Sequence, residues 1–155
     1  MEDKELTGGC YLLAFFLTRY LNERYGISVR PIVGWVNDGT TPHMTSHAWI
    51  ESSSGITDIS LTKTEHPEIQ LSGALLIFGR PIYKGRAAYT YHAERSREAL
   101  DALRELEEQA PGIVRMKEEE HRFMQTTSLD NALIKEFLDG APPGHRYADL
   151  ARLMS

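Results

Sequence analysis

The sequence predicts an α+β fold in which a buried N-terminal helix packs on an antiparallel sheet of about five strands, followed by a helical C-terminal region. A chain of 155 residues, 41% of them apolar, can bury one core but is short for two large ones. Its character changes near residue 93, because both tryptophans lie before that point and good helix formers dominate after it. We therefore expect a single domain, 1–155, with an α+β core over 1–92 and a helical extension over 93–155.

The first predicted element is a helix from Cys10 to Tyr25. This segment contains neither glycine nor proline, and Gly26 follows it as a C-cap glycine would. Apolar residues lie on nearly all sides of the predicted helix, and polar residues enter only near its end. The pattern is typical of a helix that is mostly buried, with Cys10 at its N-terminus directly after Gly8 and Gly9.

Five extended segments follow, each rich in β-branched or aromatic residues and bounded by turn residues. They are Ser28–Val36, Thr45–Glu51, Ile56–Leu61, Leu75–Phe78 and Ala87–His92. The second and third flank residues 52–55 and predict a β-hairpin. Residues 79–81 and 84–86 are expected to separate the last two strands.

Four helices are predicted in the second half of the chain, where alanine, leucine, glutamate and arginine are frequent. They are Glu94–Gln109, Ile113–Gln125, Leu129–Leu138 and Arg146–Met154. Ser128 is the expected N-cap of the third. His121 and the other histidines of this half have no partner pattern, so no chemistry is predicted there.

Composition excludes several classes of function. The formal net charge of −5 and the pI near 5.7 argue against a protein that binds nucleic acid. No apolar run approaches the roughly 18–20 residues of a membrane span, and the acidic, polar start does not resemble an export signal. With one cysteine an intramolecular disulfide is impossible, which favours a reducing, cytoplasmic location.

The single cysteine, Cys10, is a candidate nucleophile. A cysteine is activated by a helix N-terminus, by a nearby imidazolium and by surroundings that are not wholly apolar. The predicted start of the helix at Cys10 supplies the first, and Gly9 would let a substrate approach the sulfur. The competing interpretation is that Cys10 is a small buried apolar residue.

His47 is the best candidate for the base among six histidines, because it lies on a predicted strand beside the aromatic Trp49. In the predicted hairpin Glu51 faces Ile56, so His47 and Asp58 project from one face as diagonal neighbours. A register shifted by one residue would place Asp58 on the opposite face. A zinc site built from the four-residue spacing of His43, His47 and Glu51 is disfavoured, because such residues lie about 13 Å apart along a strand.

The residues GGCYLLAFFLTRYL, SHAWIE and GITDISLT, which carry cysteine, histidine and aspartate in that order, resemble the transglutaminase-like superfamily with its papain-like core. The same stretch is similar to the compact cysteine peptidases that remove leader peptides in lasso-peptide maturation. The resemblance covers about residues 7–62. It implies acyl transfer through a thioester, with Cys10 as nucleophile, His47 as base and acid, and Asp58 as the group that orients the imidazole.

The expected function is therefore cysteine-dependent cleavage of an amide in a peptide or protein, with no cofactor and no metal. The candidate substrate-contacting residues are Gly9, Tyr11, Trp35 and Trp49, although Trp35 fits a core position better than a ligand platform. Glutamine deamidation, transglutamination and a non-catalytic peptide-binding module of the same fold remain alternatives. The expected partner is a peptide or protein substrate, with neither nucleic acid nor membrane.

Overall fold

The computed structural model describes residues 9–62, 64 and 70–155. Its helices are α1 (Gly9–Tyr25), α2 (Arg97–Gln109), α3 (Pro111–Ser128), α4 (Asn131–Asp139) and α5 (Tyr147–Leu153). Its strands are β1 (Arg30–Asn37), β2 (Thr45–Ser52), β3 (Gly55–Thr57), β4 (Leu75–Ile77), β5 (Arg80–Tyr83) and β6 (Thr90–His92). The predicted α+β class is confirmed, with antiparallel strands throughout the described sheets.

Helix α1 is buried because it has neighbours on two sides. Phe15 and Phe16 are at most 3% exposed and share a core with Val33 and Ile50 of the sheet and with Leu138 of α4. The apolar residues on nearly all sides of this helix thus find partners in both the sheet and the helical region. The helix ends as predicted at a glycine, since the residue after Tyr25 adopts φ of +65° and its N–H binds the carbonyl of residue 22 at 3.0 Å.

The main sheet has the strand order β3-β2-β1-β6. The predicted hairpin register is confirmed, because Glu51 pairs with Ile56 and Ser52 pairs with Gly55 across β2 and β3. Strand β3 is shorter than the predicted segment, which extended to Leu61. After Thr57 the chain leaves β2, and Asp58 pairs through both backbone groups with Leu76 of β4.

The cause of this departure lies in the side chain of Asp58. Its Oδ1 accepts a hydrogen bond from the backbone N–H of Ser60 at 3.1 Å, two residues along the chain. An aspartate that binds the backbone in this way turns the chain instead of extending it. The ladder of β2 and β3 therefore ends at Ile50 and Thr57, and the strand does not continue to Leu61 as predicted.

A further strand lies where a separator was predicted. Residues 79–81 were expected to divide two strands, but Arg80–Tyr83 forms β5 and pairs with β4. The connection is a two-residue turn in which both Phe78 (φ 49°) and Gly79 (φ 80°) have positive φ. Such turns match the twist of antiparallel strands and join them directly.

The helical region forms as predicted, with different caps. The expectation that Ser128 caps a helix is wrong, because Ser128 is the last residue of α3. Asp130 caps α4 instead, and its Oδ1 accepts the N–H of Ala132 at 2.8 Å. Helix α3 starts at Pro111, since proline suits the first helical position. Within the part of the chain that the structure describes, no helix has the length and hydropathy to cross a membrane.

Candidate functional site

The three predicted catalytic residues come from α1, from β2 and from the end of β3. Cys10 is the second residue of α1, His47 lies in β2, and Asp58 directly follows β3. His47 Nε2 lies 2.7 Å from Asp58 Oδ2, and both side chains are almost fully buried. Cys10 and His47 both line a cavity of about 840 Å³. The confirmed hairpin register is what brings Asp58 to the face of the sheet that carries His47.

The carboxylate of Asp58 is held by hydrogen bonds on both oxygens. Oδ2 accepts from His47 Nε2 and from the Tyr91 hydroxyl at 2.7 Å, and Oδ1 accepts from the N–H and the hydroxyl of Ser60. Burial opposes the charged form, but the hydrogen bond and charge of His47 together with the two hydroxyls outweigh it. They hold the pKa of Asp58 below its usual value. The group is thus a carboxylate across the neutral range.

The imidazole of His47 is correspondingly favoured in its charged form. Burial by itself would lower its pKa, but hydrogen bonds with Asp58 and Cys10, and the charges of these two groups, raise the pKa to about 9. Because Nε2 binds Asp58, the ring nitrogen left for proton exchange with the thiol is Nδ1. The hydrogen bond to Asp58 therefore orients the ring of His47 and favours a proton on Nε2.

Cys10 lies in the first turn of α1 and is partly exposed. Backbone N–H groups in the first turn of a helix have no carbonyl partner within the helix, and together they favour negative charge nearby. A thiolate at Cys10 would benefit from these groups and from the imidazolium of His47. Of the two glycines before Cys10, Gly9 is the first residue of α1, and Gly8 lies outside the described residues.

The predicted substrate-contacting residues divide into two groups. Gly9, Tyr11 and Trp35 line the cavity together with Cys10. Trp49 does not line it: this side chain is 3% exposed, and its ring centroid lies 6.2 Å from that of His47 and 5.0 Å from that of Tyr91. Trp49 thus packs beside the His47 ring in the core and does not face the cavity.

Sequence reasoning missed a set of hydrogen-bonding partners around the triad. The sequence pattern predicts only a strand position for Tyr91 and no role for Ser46, although Ser46 precedes His47 directly. His121 of α3 binds Ser46 Oγ through Nδ1 at 2.6 Å and stacks on Trp35 with a ring distance of 4.0 Å. The sequence contains no local signal for these contacts, because the residues of each pair lie far apart along the chain.

The helical region also forms one wall of the cavity. Leu103 and Leu106 of α2 line it, as do Ile113 and Val114 of α3. Leu106 is 42% exposed and Ile113 is 59% exposed, so this wall presents apolar surface to the cavity. The space beside Cys10 is therefore polar at the triad and apolar along the helices.

Across residues 9–62, 64 and 70–155, no group of three or more histidine, cysteine, aspartate or glutamate side chains is arranged to hold a metal ion. Comparison of the chain with protein-family models, with curated proteins and with solved structures finds no match in any of the three. The geometry and electrostatics of the triad and its cavity are accordingly the basis for a functional assignment.

Proposed function

We propose that this protein is a cysteine-dependent hydrolase that cleaves an amide bond in a peptide or protein through a thioester on Cys10. The observation that carries the proposal is the buried pair of His47 Nε2 and Asp58 Oδ2 at 2.7 Å, with Cys10 lining the same cavity as His47. The combination of a thiol, an imidazole and an orienting carboxylate activates a nucleophile on unrelated folds. We also propose that the core is papain-like, as the order of helix, histidine strand and aspartate suggests.

The reactive state is a Cys10 thiolate beside a His47 imidazolium, in which the thiol proton resides on Nδ1, and the raised pKa of His47 favours this pair. The thiolate attacks the amide carbonyl carbon, so that a C–S bond forms and an electron pair moves to the carbonyl oxygen. Collapse of this intermediate breaks the C–N bond, and His47 gives its proton to the leaving amine. Water then attacks the thioester with His47 as base, which releases a carboxylic acid and restores the thiol.

Charge that develops on the carbonyl oxygen needs hydrogen-bond donors. The backbone N–H groups in the first turn of α1, including that of Cys10, are the donors nearest to the sulfur in the chain. The hydroxyl of Tyr11 is not free for this role, since it is bound to Ser46 Oγ at 2.6 Å. The helix start thus serves both the thiolate and the oxyanion.

The first test measures how fast iodoacetamide alkylates Cys10 at pH 6, where an ordinary cysteine is almost entirely a thiol and reacts slowly. We expect rapid alkylation of the native protein and at least a roughly 100-fold slower reaction in His47→Gln. Glutamine can still donate to Asp58 from the position of Nε2, so this variant keeps the buried hydrogen bond but has no base. His43→Ala is the matched control, because His43 lines the same cavity and is exposed.

The second test captures the acyl group. Incubation with a pool of peptidyl aminomethylcoumarin amides should release coumarin and leave, after rapid quenching, an acyl mass on Cys10 that hydroxylamine removes. In the first test, an alkylation rate that is slow in the native protein and equal in His47→Gln would refute the proposal. Release of the free acid indicates hydrolysis, whereas transfer of the acyl group to an added amine favours the transglutaminase alternative.

A further inference from the structure

We infer that His121, in the helical extension, is a positioning residue for the thiol and imidazole of the proposed reaction. It terminates a hydrogen-bond chain that joins the residue after Cys10 to the residue before His47. The inference rests on the proposed function, and it assigns a role in the site to a part of the chain for which the sequence predicted none.

The hydrogen-bond chain has three members, one each from α1, β2 and α3. The Tyr11 hydroxyl of α1 lies 2.6 Å from Ser46 Oγ of β2, which in turn lies 2.6 Å from His121 Nδ1 of α3. Tyr11 follows Cys10 directly and Ser46 precedes His47 directly. A shift of α3 relative to the sheet would therefore move the neighbours of both reacting groups.

The direction of the hydrogen bonds follows from protonation. Burial raises the pKa of Tyr11 well above its usual value, so its hydroxyl stays protonated and can donate a hydrogen bond to Ser46 Oγ. Burial lowers the pKa of His121, which favours the neutral ring, and a neutral ring with its proton on Nε2 accepts at Nδ1 from the Ser46 hydroxyl. In this arrangement the hydrogen bonds run from Tyr11 through Ser46 to His121.

His121 is itself held in place by its surroundings. Its ring stacks on Trp35 with an interplanar angle of 17°, and Trp35 lies directly opposite Ser46 in the pairing of β1 with β2. The guanidinium of Arg95 lies 4.1 Å from the centre of the Trp35 ring and binds both carboxylate oxygens of Glu118. Glu118 precedes His121 by one helical turn. Two residues of α3 are therefore held at Trp35 of β1, His121 by stacking and Glu118 through Arg95.

Side chains alternate along β2, so the neighbours Ser46 and His47 project from opposite faces of the strand. Ser46 shares a face with Ala48 and Ile50, which pack on α1, whereas His47 shares the other face with Trp49. A hydrogen bond at Ser46 thus fixes the strand from the helix side while Asp58 fixes His47 from the opposite side. The position of Cys10 relative to Nδ1 depends on both restraints.

The experiment compares three substitutions at one position by the rate at which iodoacetamide alkylates Cys10 at pH 6. His121→Ala removes the acceptor and should slow alkylation about tenfold, since small displacements of reacting groups cost that much or more. In His121→Asn the side-chain oxygen can take the place of Nδ1, and we expect the rate to return to within about threefold of native. His121→Gln places its amide near Nε2 instead and should stay slow, like alanine.

Arg122→Ala, on the exposed face of α3, is the control and should react like the native protein. If His121→Ala fails to fold, Tyr11→Phe breaks the other end of the chain and should slow alkylation by a similar factor. Equal rates in the asparagine and alanine variants, or native rates in all of them, would overturn the inference. His47→Gln is measured alongside. If it slows alkylation while the His121 variants react like the native protein, this inference fails but the proposed function stands.

Discussion

His47 Nε2 and Asp58 Oδ2 lie 2.7 Å apart, in side chains that are 6% and 2% exposed. Two opposite charges in such a place stabilise each other only as a pair, because either one alone would be buried without compensation. The same pair thus determines the electrostatics of the site and contributes to the stability of the fold. Several testable consequences come from this coupling and from the cavity beside it.

Asp58→Asn should impair both catalysis and stability. Without the negative charge the imidazolium loses its partner and the tautomer of His47 is no longer fixed, so hydrolysis of the coumarin amides should fall about 10⁴-fold. Removal of one partner of a buried pair costs roughly 3–5 kcal/mol, which urea denaturation would detect. Asp38→Asn is a control, since Asp38 also lines the cavity but lies outside the triad. Native turnover in Asp58→Asn would contradict the assigned role.

The stability of the protein should fall as the pH rises towards 9. The pKa of His47 in the folded state, about 9, lies above its unfolded value near 6.5. A raised pKa stabilises the fold fully below the unfolded value, and this contribution is lost as pH rises through the folded value. Urea midpoints measured from pH 6 to 9.5 should therefore decrease in the native protein. The decrease should be smaller in His47→Gln, and an identical slope in both proteins would show that another group is responsible.

Gly34→Ala should destabilise the sheet beside His47. Gly34 pairs with His47 across β1 and β2, and a Cβ at this position would come within 2.5 Å of the His92 carbonyl oxygen and 2.7 Å of the Trp49 ring. Such overpacking costs about 1–3 kcal/mol in thermal or urea unfolding. Gly112→Ala in α3 is the matched control, because a Cβ there meets nothing within 4 Å and should be neutral or slightly stabilising. Equal unfolding of both variants would refute the steric argument.

The apolar wall of the cavity predicts a preference for peptides with bulky apolar side chains near the scissile amide. Leu106→Ser should lower kcat/KM for such members of the coumarin pool about tenfold, as expected for the loss of 1–2 kcal/mol of apolar contact. Leu100→Ser is a close control: Leu100 lies on the same helix and is 38% exposed against 42% for Leu106, but it does not line the cavity. Equal effects of the two substitutions would show that the wall does not contact the substrate.

Much of the site could be predicted because its geometry follows from local patterns. The apolar sequence of α1, ended by Gly26, placed Cys10 at a helix start, and the spacing of the β2–β3 hairpin placed Asp58 on the face of His47. Both are consequences of fixed periods, 3.6 residues in a helix and 2 in a strand. The strand period also argues against zinc, because it places His43, His47 and Glu51 too far apart to share one ion.

The contacts between distant segments could not be predicted. Ser46 meets His121 across 75 residues, and Tyr91 reaches Asp58 across 33. The cap at Ser128 was misplaced because Asp130 competes for the same role two residues later, and residues 79–81 become part of a hairpin because of their partner in β4. The contacts of Ser46 and Tyr91 depend on which elements pack together, whereas the cap at Asp130 is decided between neighbouring residues.

The sequence by itself determined the class of the fold, the start of α1 and the register that can unite Cys10, His47 and Asp58. The tertiary structure alone decided that Tyr91 and β4 meet Asp58, that Trp49 packs beside His47 away from the cavity, and that α2 and α3 form one wall of the cavity. The reason is physical: hydrogen-bond and side-chain periods are fixed within a segment, whereas partners across the molecule are selected by burial of the whole chain.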